Sequence, residues 1–337
     1  MNIKSLLLGS AAALAAVSGA QAADAIIAAE PEPMEYVRVC DAFGTGYFYI
    51  PGTETCLKVG GYVRFEVGFG EDAYVGTTGT SDWDSYARAQ LDFTAKSDTE
   101  LGTLTSVASV RFDYGDDTVW SSNANDAYIN EAYIELGGFK IGRYWNWWDA
   151  NDLPGELDDL GSNRLNSIAY VYTGDAFTAG IQVDELSRAS GQEVGVEAVV
   201  QAALGAAKLE VLGSWDFGAE EGAVRGIASV AAGPGTFYLA GVYSSGENVY
   251  YSSGEATVAV AYAFKATDKL EIIPEAQYIW NTQVDADGEF YGDDAWGAGV
   301  TVNYQIVDNF AAKVAVDYVD NGTDDSVRGI VRLQRDF

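Results

Sequence analysis

Five carboxylates crowd one sixteen-residue stretch, Asn146-Trp147-Trp148-Asp149-Ala150-Asn151-Asp152-Leu153-Pro154-Gly155-Glu156-Leu157-Asp158-Asp159-Leu160-Gly161. Such groups can work as general acids and bases, as metal ligands, or as fixed charges that sort ions. The first two uses lack their common partner, because the chain contains no histidine. That removes the usual general base, the Ser-His-Asp triad and every histidine metal site. The chain is therefore read as a non-enzyme without cofactor or metal. The remaining use is electrostatic. Basic residues are scarce, 19 against 50 acidic ones for a net charge of −31, so their placement is informative. Lys58, Arg64, Arg88, Lys96, Arg111, Arg328 and Arg332 all fall on the polar parity of the first and last alternating segments. If the ends of the chain meet, these residues form one basic wall facing Asp149, Asp152, Glu156, Asp158 and Asp159. Opposed charged walls set up a transverse field that orients ions and dipolar solutes. The competing reading is a set of wall charges paired with Glu66, Asp92 and Asp113. Arg143 falls on the apolar parity, so either a bulge turns it or it sits at headgroup level. Asp285-Ala286-Asp287-Gly288 resembles part of a calcium loop, but Gln283 occupies the first ligand position and the stretch is read as a solvated turn.

The elements that must position these charges are strands. From about Leu57 to Phe337 the chain repeats segments of period-two hydrophobicity. In the first, Leu57, Val59, Val63, Phe65, Val67 and Phe69 alternate with Lys58, Gly60, Tyr62, Arg64, Glu66 and Gly68. Further segments are expected near 84–97, 103–114, 126–136, 139–145, 165–172, 177–186, 193–202, 207–216, 223–231, 236–244, 255–264, 269–280, 294–305, 309–319 and 326–337, sixteen strands in total. Even-numbered segments are followed by short turns such as Gly137-Gly138. Odd-numbered ones are followed by longer loops such as 70–83, 115–125, 146–164, 245–254 and 281–293. Trp83, Trp120, Trp145, Trp215, Trp280 and Trp296 gather at the long-loop ends or in a loop, whereas Phe139, Phe177, Phe237, Phe264, Phe310 and Phe337 gather at the short-turn ends. Two aromatic girdles at two membrane interfaces produce this sorting. No segment is apolar for long enough to cross a bilayer as a helix. A hydrocarbon layer forbids open sheet edges, so the expected fold is all-β, a sixteen-stranded antiparallel transmembrane β-barrel. A barrel of that size encloses an aqueous channel. The acidic third loop is too rich in Trp and Leu for a disordered flap. It is expected to fold into the lumen, with an external flap as the alternative.

The N-terminus carries Lys4, an apolar run from Leu6 to Val17 and Ala20-Gln21-Ala22, which reads as a cleaved signal peptide over 1–22. Residues 23–56 form a distinct segment before the barrel at 57–337. Cys40 and Cys56 lie in an exported chain, where a disulfide is the default and two buried free thiols are the alternative. The strong acidity argues against nucleic acid as a partner.

The stretch Met34 to Arg64, with its Val37-Arg38-Val39-Cys40-Asp41-Ala42-Phe43-Gly44-Thr45-Gly46-Tyr47-Phe48-Tyr49-Ile50-Pro51 core, and the ending Val331-Arg332-Leu333-Gln334-Arg335-Asp336-Phe337 closely resemble the alphaproteobacterial porins, in particular the Brucella and Rhizobium general porins. The resemblance implies a homotrimer in the outer membrane, in contact with lipid and lipopolysaccharide, with the third loop in the lumen. It implies passive diffusion of small hydrophilic solutes, pairing of Cys40 with Cys56, and Phe337 as the terminal aromatic read by the barrel assembly machinery. Arg335 departs from the pattern, since many such barrels carry an outward aromatic two residues before the end. The composition adds an expectation of weak cation preference. A substrate-specific barrel channel and a surface β-protein acting in adhesion are the rival readings.

Overall fold

The computed structural model describes residues 38–70, 83–115, 125–150, 152–188 and 191–337. The expected signal peptide over 1–22, residues 23–37, the loops at 71–82 and 116–124 with Trp120, Asn151 and residues 189–190 lie outside the described residues. Sixteen long strands follow the predicted order: β1 Cys56–Gly70, β2 Trp83–Thr99, β3 Gly102–Gly115, β4 Asn125–Leu136, β5 Phe139–Trp145, β6 Arg164–Thr173, β7 Phe177–Arg188 and β8 Gly191–Leu204. The second half comprises β9 Ala207–Asp216, β10 Glu221–Ala232, β11 Gly235–Ser244, β12 Ala256–Lys265, β13 Leu270–Trp280, β14 Ala295–Val307, β15 Phe310–Asp320 and β16 Asp325–Asp336. Each strand pairs antiparallel with the next, and β16 pairs with β1 to close the barrel. Phe337 completes the seam, its backbone exchanging hydrogen bonds of 3.0 and 3.1 Å with Gly61. A side chain at position 61 would not fit, since a Cβ there would stand 2.0 Å from the Gln90 carbonyl.

Alternation is what lets the sheet close with two different faces. Val63, Phe65, Ile141, Ile168, Ile181 and Val200 project outward and are exposed. Between them Glu66, Gln182, Glu197, Glu210, Arg225 and Glu275 point the other way and are buried. Trp83, Trp215, Trp280 and Trp296 are exposed at the long-loop rim, and Phe139, Phe177, Phe237 and Phe337 at the short-turn rim, as a pair of girdles requires. The odd connections are less uniform than expected. Those after β1, β3, β5, β11 and β13 are long, but β7–β8, β9–β10 and β15–β16 join through two, four and four residues. There the alternation continues closer to the turn and the ladder runs on with it.

Arg143 stays on the outward parity, opposite the exposed Ala132 and Asn166. The bulge that could have turned it lies one strand away in β4, where the register skips Asn130. Before the barrel, Phe48–Tyr49 pairs with Cys56–Leu57, and Cys40 is disulfide-bonded to Cys56 with a Cα–Cα distance of 6.0 Å. Tyr47 and the half-buried Phe43 and Tyr49 cover the buried disulfide. Residues 39–55 are thereby pinned to the start of β1, at the short-turn rim.

Candidate functional site

The acidic stretch leaves β5 through Asn146, whose amide donates to Glu197 on β8 at 2.8 Å. A single helical turn follows, α1, Trp147–Ala150. It is capped by Asn146 Oδ1, which accepts from the Trp148 amide at 3.2 Å. Trp148, Leu153, Leu157 and Leu160 are all buried, which accounts for the apolar residues in an otherwise acidic stretch.

Arg225 on β10 gathers this segment. Its guanidinium is wholly buried and donates to the carbonyls of Trp147 at 2.6 Å and Trp148 at 2.5 Å. It also reaches Asp152 at 3.4 Å and Glu210 at 3.1 Å. Further along, Glu275 on β13 accepts from the Glu156 and Leu157 amides at 2.9 Å each, while Thr301 on β14 donates to its other oxygen at 2.8 Å. Gly155 makes this approach possible: its φ is +127°, and a Cβ would stand 1.9 Å from Glu275 Oε2. Gln277 brackets Asp159, accepting from its amide at 3.0 Å and donating to its carboxylate at 2.6 Å. Glu156 meets Lys313 on β15 at 2.7 Å and Arg332 on β16 at 3.9 Å. The connection after β11 packs on the same segment. Tyr251 stacks on Trp148 with ring centroids 6.1 Å apart, the Tyr250 carbonyl accepts from Asn163, and the Tyr250 hydroxyl donates to Asp184 at 2.7 Å.

The carboxylates of the segment are not equivalent. Asp149 accepts from Ser162 at 2.7 Å. Burial, then the neighbouring Asp158, pushes the Asp152 carboxyl up to about 8 against the pull of Arg225. Burial, then Glu156 and Asp159, pushes Asp158 up to about 7. Burial also raises the Tyr251 hydroxyl to about 12, with Asp159 adding to the shift.

The predicted basic wall divides. Arg64 and Arg88 stand directly opposite each other across β1 and β2. Arg88 is paired bidentately with Asp113 on β3 at 2.6 and 3.0 Å, and Arg332 is paired with Glu66. Arg64 and Arg111 donate to neutral amides instead, Gln334 at 2.8 Å and Gln90 at 2.6 Å. Arg328 and Asp159 line one small cavity of about 260 Å³. Lys58 and Lys96 lie apart from the segment, beside the pinned N-terminal residues. Lys58 packs along Gly46 and Lys96 sits 5.7 Å over the Tyr47 ring. Ion pairs at Arg88 and Arg332 match the paired-charge reading, while Arg64 and Arg111 make amide contacts. Sequence reasoning missed Arg225, Glu275, Gln277 and Lys313, although the parity of each within its segment was readable. It also missed Tyr250 and Tyr251. The Asp285–Gly288 stretch is a turn in which Asp285 accepts from the Asp287 and Glu289 amides at 2.9 and 3.0 Å.

A family model for the porin subfamily matches residues 24–334. The chain belongs to the porin family. Among its relatives, this porin is 51% identical to a putative outer membrane protein, y4fJ, of Sinorhizobium fredii, across 100% of the chain and 99% of the relative. It is 47% identical to outer membrane protein IIIA of Rhizobium leguminosarum bv. viciae, across 95% and 90%. Porin Omp2a of Brucella suis is 38% identical across the full length of both. Among solved structures, the outer membrane channel DcaP of Acinetobacter baumannii superposes with a TM-score of 0.67 at 15% identity, covering 86% of this chain and 99% of that one. A variant of the Rh. blastica porin gives 0.59 at 14% identity, covering 83% and 100%. The porin is an outer-membrane protein, in agreement with its girdled, lipid-suited exterior.

Proposed function

We propose that this porin is a water-filled passive diffusion channel for small hydrophilic solutes and ions, with weak cation preference in dilute salt. The observation that carries the reading is the set of partners that hold residues 146–163. Glu197, Arg225, Glu275, Lys313 and Arg332 all lie on the polar, inward parity of their strands. A segment bound to that face lies inside the barrel and narrows it. Its acids, Asp149, Asp152, Glu156, Asp158 and Asp159, then form one side of a constriction, and Arg64, Arg88 and Arg111 the other. Lys58 and Lys96 belong to the approach rather than the narrowest point. No step of chemistry or energy coupling is involved. Filtering is by size and by a field that reaches about a Debye length, ~8 Å at physiological salt.

The same reading takes the chain as a homotrimer, exported by a signal peptide over 1–22 and recognised by the barrel assembly machinery through Phe337. Its outer wall contacts lipid and lipopolysaccharide. Planar-bilayer recording of the purified protein tests the function directly. Stable, unsaturating conductance in potassium chloride is expected, with a reversal potential on the cation side at low salt that decays at high salt. Chloride preference in dilute salt would overturn the assigned selectivity, and conductance that saturates with one solute would replace diffusion by a specific site.

A further inference from the structure

Toward the short-turn rim the inner wall carries a row of charges that overlaps the basic wall at Arg332. Backbone register places Lys265, Glu271, Asn303, Lys313, Arg332 and Glu66 side by side across six consecutive strands, β12 to β1 through the seam. With Arg64 and the turn residue Lys269, the basic members of this row line a cavity of about 770 Å³ at the short-turn rim. That is within the usual range of small-molecule sites, ~300–1,000 Å³. Five basic side chains and three acidic ones line it, in a chain whose acids outnumber its bases by 50 to 19.

The pairing state of these groups matters more than their number. Lys313 and Arg332 each spend one contact on Glu156, at 2.7 and 3.9 Å. Arg64, Lys265 and Lys269 make no ion pair among the described residues: Arg64 donates to the Gln334 amide oxygen and Lys269 to the Ile306 carbonyl. Two of the acids are hydrogen-bonded to amides rather than ion-paired with the bases. Glu271 accepts from the Asn303 amide at 3.2 Å and Asp336 from the Gln334 amide at 2.8 Å. Three uncompensated cations around one concavity repel one another, and a single small body carrying several negative charges relieves that repulsion at several points. A monovalent ion satisfies one of them. Oxygens of an oxyanion also accept from the guanidinium fork and from amide N–H groups, which a halide does less well.

We propose that this cavity is a binding site for multivalent oxyanions, of the phosphate and phosphate-ester class, on the short-turn side of the constriction. The proposal rests on the channel reading above, because Arg64, Lys313 and Arg332 in its lining lie on the inward parity of their strands. In this barrel class the short turns face the periplasm, so the site collects such anions from that side, while the acidic segment above it hinders their entry from outside.

The test is planar-bilayer recording of the full mature chain in potassium chloride at fixed ionic strength, with pyrophosphate added to each side in turn. Saturable reduction of the current is expected, at lower pyrophosphate concentration from one side than from the other. The half-saturating concentration, read against each variant's own chloride conductance, should rise about tenfold in Lys265→Ala/Lys269→Ala and in Arg64→Gln, as loss of charge-assisted contacts implies. Arg64→Gln leaves the turn intact, so a folding defect in the double variant does not decide the matter. A current change that follows ionic strength without saturating overturns the site, as does a half-saturation that neither variant moves. If the protein carries no chloride current at all, the channel reading has failed. Chloride current without a saturable pyrophosphate effect sinks the site alone.

Discussion

In the proposed constriction, Asp152 and Asp158 are the groups expected to carry a pH dependence. Burial lifts their carboxyls to about 8 and about 7, so near neutrality neither is a full charge, contrary to what a count of acids suggests. Each ionises as pH rises, so cation preference should grow between about pH 6 and about pH 9 and level off above it. Reversal potentials in dilute potassium chloride across that window check this, and Asp152→Asn/Asp158→Asn should flatten the curve. A flat wild-type curve would remove both groups from the selectivity. The seating of the segment runs the opposite way. Released carboxyls titrate near ~4, so the seated state holds protons that the released state has lost. Seating is therefore strongest at acid pH and weakens as pH rises through about 7 and 8. Arg225 is the second residue whose role is separable. Arg225→Met leaves Glu210, Asp152 and the Trp147 and Trp148 carbonyls without their donor, and breaking a buried pair in this way costs about 3–5 kcal/mol. The expected outcome is a folded barrel with higher and noisier single-channel conductance. Unchanged conductance in this variant would separate Arg225 from the constriction.

At the scale of elements, the segment 146–163 and the connection 245–255 behave as one packed unit through Trp148 and Tyr251. Shortening the chain across Asp152–Asp159 should widen the pore and raise conductance while the heat-modifiable electrophoretic shift of the folded barrel persists. If the segment were an external flap, conductance would hardly move and protease would cleave it on intact cells. Gly155→Ala probes the same element with one methyl group. The backbone is at φ +127° and Glu275 occupies the space, so the variant carries strain of about 1–3 kcal/mol. It should displace Glu275 from the Glu156 and Leu157 amides, with conductance changing in the same direction as in the shortened chain. The disulfide belongs to another element. Cys40–Cys56 closes a short loop, a constraint of about 3 kcal/mol in the chain-entropy model. Cys40→Ser should free residues 39–55 to proteolysis while the barrel stays intact, and alkylation of unreduced, denatured wild type should find no thiol.

At the scale of the whole molecule, the proposed trimer makes a prediction that single-barrel geometry does not. Bilayer insertions should close in three equal steps, and a protein that only ever shows one level would be a monomer. The outward face also bears Arg143, opposite Asn166 on β6. A charge on the lipid side of a barrel costs about 2–4 kcal/mol at the midplane and little near the interfaces. Arg143→Leu should therefore stabilise or leave unchanged an isolated barrel in detergent, read by its thermal unfolding.

Strand number, order and most boundaries were legible without the structure, because the signal is local: a period of two within each segment, turn residues between segments, and aromatics sorted by rim. The girdles at Trp83, Trp215, Phe139 and Phe177 follow from the same short-range pattern. That Arg64, Arg88 and Arg111 share one face of the first three strands was legible too, since the period of two fixes their parity. What the acidic segment binds was not. Its partners Arg225, Glu275 and Lys313 lie on strands far along the chain, and no periodicity encodes a contact between a loop and a wall. Which acids titrate high was likewise hidden, because Asp152 and Asp158 are raised first by burial, which only packing sets, and then by acidic neighbours. Local pattern chooses the barrel, whereas burial, which depends on every neighbour at once, decides how the charges inside it are paired and titrate.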